Sequence, residues 1–227
     1  MDIAFIGKLY PRPQEQLALV LRVNYGYDMV PNMPVYLELY GKGSYRIEYA
    51  DGTSIIQEGD SNTPISLYKE EKDCEDNMID VFYKPIKIYG DPENIKKITQ
   101  LYYGNFYYWA IEDISLCKNL IDLRVDMGAI ESYDFSTHPK LESLSISGYS
   151  LKDVGVETLE NLKSLELYNL HEIKSTVKLS NLNLENLVLE SNLITNLDIS
   201  NLSKLKILSI STSRFYNKLE KIDVSNN

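Results

Sequence analysis

Histidine and cysteine are almost missing from this sequence, with two of each in 227 residues, and that scarcity narrows the chemistry open to it. Neither His138 nor His171 sits in a metal-ligand spacing, and His138 precedes Pro139 in a turn. There is no nucleophile elbow, phosphate-binding glycine loop or ordered calcium loop, so no catalytic residue, metal or cofactor is expected. The acidic run from Glu70 to Asp80 is read as a solvated loop. Cys74 and Cys117 allow one long-range disulfide or two reduced structural thiols, and we read them as thiols. Basic clusters are lacking too. The net charge is −10 and the isoelectric point near 4.8, which repels phosphate backbones and argues against nucleic acid. No apolar run approaches the ~20 residues that span a bilayer, so no membrane insertion is expected. The opening residues, Met1 to Lys8, lack a basic segment followed by a signal-like apolar stretch. As it stands the sequence reads as cytoplasmic; a removed signal would instead place it at the cell surface or outside the cell.

What the sequence does have is a repeat. Leu120–Val125, Leu141–Ile146, Leu162–Leu167, Leu184–Leu189 and Leu205–Ile210 all read L-x-x-L-x-[LIV], about every 21 residues. A regular period of this length means a solenoid whose coils bury their apolar edges only by stacking. A second apolar edge follows each hexad: Ile130/Tyr133/Phe135, Leu151/Val154/Val156, Ile173/Val177/Leu179, Ile194/Leu197/Ile199 and Leu219/Ile222/Val224. Ser136, Ser180, Ser200 and Ser225 come just after that edge, where a hydroxyl can bond nearby backbone at a bend.

Residues 14–90 have a different grammar. Leu17–Val23, Val35–Tyr40, Ser44–Tyr49, Ile65–Tyr68, Met78–Tyr83 and Ile86–Tyr89 read as short strands between turn signals, among them the hairpin-forming Asp51-Gly52. The expected fold is therefore mainly β: a small antiparallel sandwich-like domain over 1–90, then a solenoid of five to six coils with a parallel sheet over 91–227. Tyr45-Arg-Ile-Glu-Tyr-Ala-Asp-Gly-Thr53 resembles the strand-turn of PKD-like β-sandwiches, with Tyr49-Ala50 in place of their Trp-Gly. The Leu-Asp-Ile-Ser style of the coils resembles the irregular leucine-rich repeats of BspA-like surface proteins of gut bacteria. That resemblance implies a parallel strand on the first edge and a recognition role.

A strand on the first edge turns alternate side chains to solvent. Three columns result: Asp122, Ser143, Ser164, Asn186, Ile207; Arg124, Ser145, Glu166, Val188, Ser209; and Asp126, Ser147, Tyr168, Glu190, Ser211. Read blandly, they form a solvated face. Read functionally, they form a concave contact surface centred on Arg124, Glu166, Tyr168 and Glu190, with Val188 and Ile207 as apolar members. Five coils ~4.8 Å apart give a ladder roughly 20–25 Å long and ~10 Å wide. That is about 250 Å², against the ~800 Å² each partner gives a standard interface. The aromatic segment Leu101–Ala110 is a further candidate through Tyr103, Phe106 and Tyr108, or else a cap sealing the first coil. The function expected is non-enzymatic protein binding, with a basic partner surface favoured by the charge. The alternative is a cell-surface adhesin or glycan-contacting module. The last coil lacks a capping helix, so three readings stay open: Ser211–Lys218 folds over its edge, the coil is a contact for self-association, or the sequence is a piece of a longer array.

Overall fold

The computed structural model describes residues 16–23, 36–48, 53–67, 86–104, 109–126, 131–173, 179, 183–190, 192–211 and 220–223. Among them no helix is long and apolar enough to cross a membrane. The expected strand Met78–Tyr83 and all of the Ser211–Lys218 segment but Ser211 fall outside these residues.

The N-terminal part is antiparallel. Strands β1 (Gln16–Val23), β3 (Gly43–Glu48), β4 (Ser54–Gly59), β6 (Ile86–Gly90) and β8 (Trp109–Asp113) form one sheet in the order β4-β3-β6-β1-β8. Strand β4 was not anticipated, because Ile55 and Ile56 stand side by side instead of alternating; both are exposed. The β3–β4 hairpin forms across the Asp51-Gly52 region, with Glu48 opposite Ser54. Facing this sheet are β2 (Tyr36–Tyr40) and β5 (Ile65–Leu67), which pair antiparallel. Leu37, Leu39 and Ile65 of one layer and Tyr45, Ile47 and Ile88 of the other share a buried core. A single-turn helix α1 (Pro92–Ile95) follows, started by Asp91, whose carboxylate accepts the Glu93 amide at 2.8 Å, and by proline at its first position. The Tyr45 hydroxyl donates to Asn94 O at 2.9 Å, beside Gly41, whose β-carbon would stand 2.8 Å from that hydroxyl. With φ at +148°, Gly43 would carry any β-carbon 2.3 Å from the Asn94 side chain.

The solenoid grows from this part without a break. Strand β7 (Gln100–Gly104) pairs antiparallel with β2 on one side and parallel with β9 (Asp122–Asp126) on the other. Strands β10 (Ser143–Ser147), β11 (Ser164–Tyr168), β12 (Asn186–Glu190) and β14 (Ile207–Ser211) continue in parallel, giving the eight-stranded order β14-β12-β11-β10-β9-β7-β2-β5. Strands β7 and β8 both lie beyond residue 90 and pair with β2 and β1, so the two halves share their sheets. Between strands the described residues make irregular turns and one short 3-10 turn, Phe135–Thr137; among them the second edge forms a sheet only as β13 (Asn196–Asp198) beside β15 (Lys221–Asp223).

Leu123, Leu144, Leu165, Leu187 and Leu208 are register partners in one ladder, and the first four are fully buried. Each coil also repeats its backbone bonding. The Ile121 carbonyl accepts both Glu142 N and Ser143 N, and Glu142, Lys163 and Glu185 repeat the pattern one coil later each time. Thr99 does the same for Ile121 N and Asp122 N, so Ile98-Thr-Gln-Leu101-Tyr-Tyr103 is a first, less regular hexad. The bends are held by aspartates: Asp134 and Asp198 each accept an amide and a hydroxyl from the serine two residues on. The Ser136 and Ser200 hydroxyls thus bond a side chain at the bend, while Ser180 and Ser225 lie outside the described residues. Ser136 pulls the Asp134 carboxyl below its usual range through its hydroxyl and then its amide. Asn119, Asn161 and Asn183 each donate to a carbonyl of the preceding coil, and Lys163–Glu142 and Lys206–Glu185 ion pairs, both at 2.7 Å, run along one rim.

Candidate functional site

Because β7 joins the two halves, the outward face of the sheet is longer than five coils. Its middle row reads Ser66, Glu38, Tyr102, Arg124, Ser145, Glu166, Val188 and Ser209, one residue from each of eight strands, every neighbour in register. The row beside it reads Tyr40, Gln100, Asp122, Ser143, Ser164, Asn186 and Ile207. Seven spacings of ~4.8 Å make the face ~34 Å long. At a width of ~10 Å it covers about 340 Å², so a standard interface must still take more than half its area from the flanks.

The predicted residues fall into three groups. Arg124, Glu166, Tyr168, Val188 and Glu190 lie on the same face, on β9, β11 and β12. Ile207 lies on β14 at the far edge and is 57% exposed; Leu208 and Ile210 of the same strand are exposed as well. Tyr103 lies on β7 in register with Leu37, while Phe106 and Tyr108 lie outside the described residues.

Two tyrosines organise the face. The Tyr102 hydroxyl donates to Asp122 Oδ2 at 2.8 Å, and its ring lies edge-on to Tyr40, centroids 5.6 Å apart. The Arg124 guanidinium stands 5.0 Å above the Tyr102 ring, with Nε 3.7 Å from Asp122 Oδ1. Burial first, then the Asp122 carboxylate, pushes the Tyr102 hydroxyl up to about 12. On β11 the Tyr168 hydroxyl donates to Glu166 Oε2 at 3.2 Å and stands beside Glu190 in register. Its pKa is likewise pushed up to about 12, by burial and then by Glu166. Asn169 fixes this corner: it leaves β11 with φ at 56°, which asparagine tolerates, and its amide donates to Glu190 O at 3.0 Å. Sequence reading had no signal for Tyr102, Tyr40 and Glu38 as part of the face, since they lie across the junction between the two grammars.

The remaining polar groups are structural. His138 is fully buried, its Nδ1 3.2 Å from Cys117 O and its Nε2 2.9 Å from the Tyr133 hydroxyl. It fills the turn position that Cys117, Leu159 and Leu202 fill in other coils, three residues before the hexad. Burial lowers its pKa, and burial pushes the Cys117 thiol up to about 12. Asn192 is also fully buried; its Oδ1 accepts Leu170 N at 3.0 Å and its Nδ2 donates to Leu167 O at 2.9 Å. Among the described residues no group of three or more His, Cys, Asp or Glu is placed to hold a metal ion.

No family model matches the sequence, and no curated protein does.

Proposed function

We propose that this is a non-enzymatic recognition protein of the leucine-rich repeat type, binding a protein partner on the outward face of its eight-stranded sheet. One observation carries the reading: rows of outward positions continue in register from the sandwich-like half to the last coil, one continuous display surface. The leucine-rich assignment draws on Leu184-Glu-Asn-Leu187-Val-Leu189-Glu-Ser-Asn192, where the buried asparagine bonds the backbone of the preceding coil. The PKD-like likeness of the N-terminal half draws on the β3–β4 hairpin around Asp51-Gly52. A basic partner suits the chain's charge of −10.

The test is a steric block. Ser145 is small and central in the middle row, and Ser145→Trp fills that place with a residue strands accept. Proteins that wild-type chain retains from its native cell lysate should be lost by Ser145→Trp and kept by Asp153→Arg, a change on the second edge. Equal retention by Ser145→Trp rejects the sheet face as the docking surface. A glycan-contacting surface module is the second reading, favoured by the Tyr40–Tyr102 ring pair on the same face. Binding to a glycan array, again lost in Ser145→Trp, would select it.

A further inference from the structure

We infer that Tyr168, Glu166 and Glu190 form a receptor for an arginine side chain of the protein partner, repeating a pattern that Arg124 completes within the chain. The inference rests on the sheet face being the docking surface. At its N-terminal end a tyrosine hydroxyl is bound to a carboxylate and a guanidinium covers the ring: Tyr102, Asp122 and Arg124. Two strands away the same parts recur, a Tyr168 ring whose hydroxyl is held by Glu166, with a second carboxylate, Glu190, in register beside it. Here the chain supplies no cation: among the described residues, Glu166 and Glu190 have no basic side chain at ion-pair distance.

The surroundings suit a guanidinium. Glu38, Asp122, Glu166 and Glu190 outnumber Arg124 on this face, so its field draws a basic surface inward. Ser145 and Ser147 on β10 leave a low strip one strand wide beside Glu166 and Tyr168, through which a side chain can approach. Val188 stands next to Glu166 and offers an apolar wall to the methylene stem. Arginine fits better than lysine, because its planar group lies flat on a ring while its fork engages a carboxylate.

The experiment uses the full chain, labelled with ¹⁵N, and the peptide Gly-Ser-Arg-Ser-Gly-Arg-Ser-Gly at low salt. Amide shifts are expected to centre on Glu166, Tyr168 and Glu190. Replacing both arginines of the peptide with citrulline, which keeps shape and removes charge, should weaken binding at least tenfold, and so should Glu166→Gln with Glu190→Gln. Tyr168→Leu should weaken the arginine peptide more than its lysine counterpart. An unperturbed spectrum outside β11 and β12 shows that each variant is folded. Equal binding of the citrulline peptide, or unchanged binding by the glutamine variant, overturns the receptor. A native partner lost by Ser145→Trp but fully retained by the glutamine variant also rejects the receptor while leaving the docking face in place; retention by Ser145→Trp rejects the face itself.

Discussion

Asn192 is a polar side chain at an apolar depth, and replacing it tests how the coils are held together. Its amide bonds Leu170 N at 3.0 Å and Leu167 O at 2.9 Å, both out of reach of water. In Asn192→Ala one amide and one carbonyl lose their partner where solvent cannot replace it. Each orphaned group costs ~1–3 kcal/mol, so the variant should lose about 3 kcal/mol. That is a large share of the ~5–15 kcal/mol that holds a typical domain folded. Asn161 is the control: it too donates to a carbonyl of the preceding coil, at 2.9 Å, but it is exposed, and water can take its place. Asn161→Ala should cost roughly 0.5 kcal/mol. Urea unfolding followed by circular dichroism gives both values from midpoint and slope. A third variant, Asn192→Asp, sharpens the argument. Its buried carboxyl must stay protonated to donate to Leu167 O, so its folded pKa is raised above the unfolded ~3.9. The stability of Asn192→Asp should therefore be greatest below about pH 4 and fall as pH rises. If the two alanine variants cost the same, burial is not what makes Asn192 important, and the reasoning fails.

Other outcomes follow from the same geometry. Leu165→Ala, at a fully buried ladder position, should cost about 3–4 kcal/mol, while Leu208→Ala, at 37% exposure on the last coil, should cost about 1–1.5 kcal/mol; equal losses would mean the end coil is packed as tightly as the middle. Burial lowers the His138 pKa in the folded state, so its contribution is complete above the unfolded value of ~6.5 and declines as pH falls below it. The melting temperature should drop between pH 7.5 and pH 5, and His138→Leu, which restores the apolar residue found at Leu159 and Leu202, should flatten that slope. Lys163→Glu places three carboxylates in a row with Glu142 and Glu185; it should lower the melting temperature at low salt and less at 1 M salt, and a salt-independent change would locate its effect elsewhere.

The leucine ladder was legible because its signal is repeated and inward: every coil spends three positions on the same buried columns, and the register follows from their spacing. The outward columns came with it, since a strand fixes the opposite face once one face is known. The hexad at Ile98–Tyr103 escaped because its last residue is an aromatic, which reads as part of a tyrosine-rich cluster. Strand β4 escaped because its two isoleucines are adjacent and exposed, so no alternation marks it. The lysine–glutamate rim and the asparagine staples are periodic too, but polar residues at a period of 21 look like ordinary surface until the stacking is known. Tyr102 became a neighbour of the predicted site only through the parallel pairing of β7 with β9, a contact between two stretches of unlike pattern.

Strand β7 has one further consequence. A parallel sheet needs a template for its first member, and β7 supplies it by pairing antiparallel with β2 on one flank and parallel with the stack of coils on the other. Coils added or removed as whole units of about 21 residues should leave that template untouched and change the reach of the molecule by ~4.8 Å per unit. The fold is in this sense a ruler with one anchored end, whose length can be reset without redesigning its foundation.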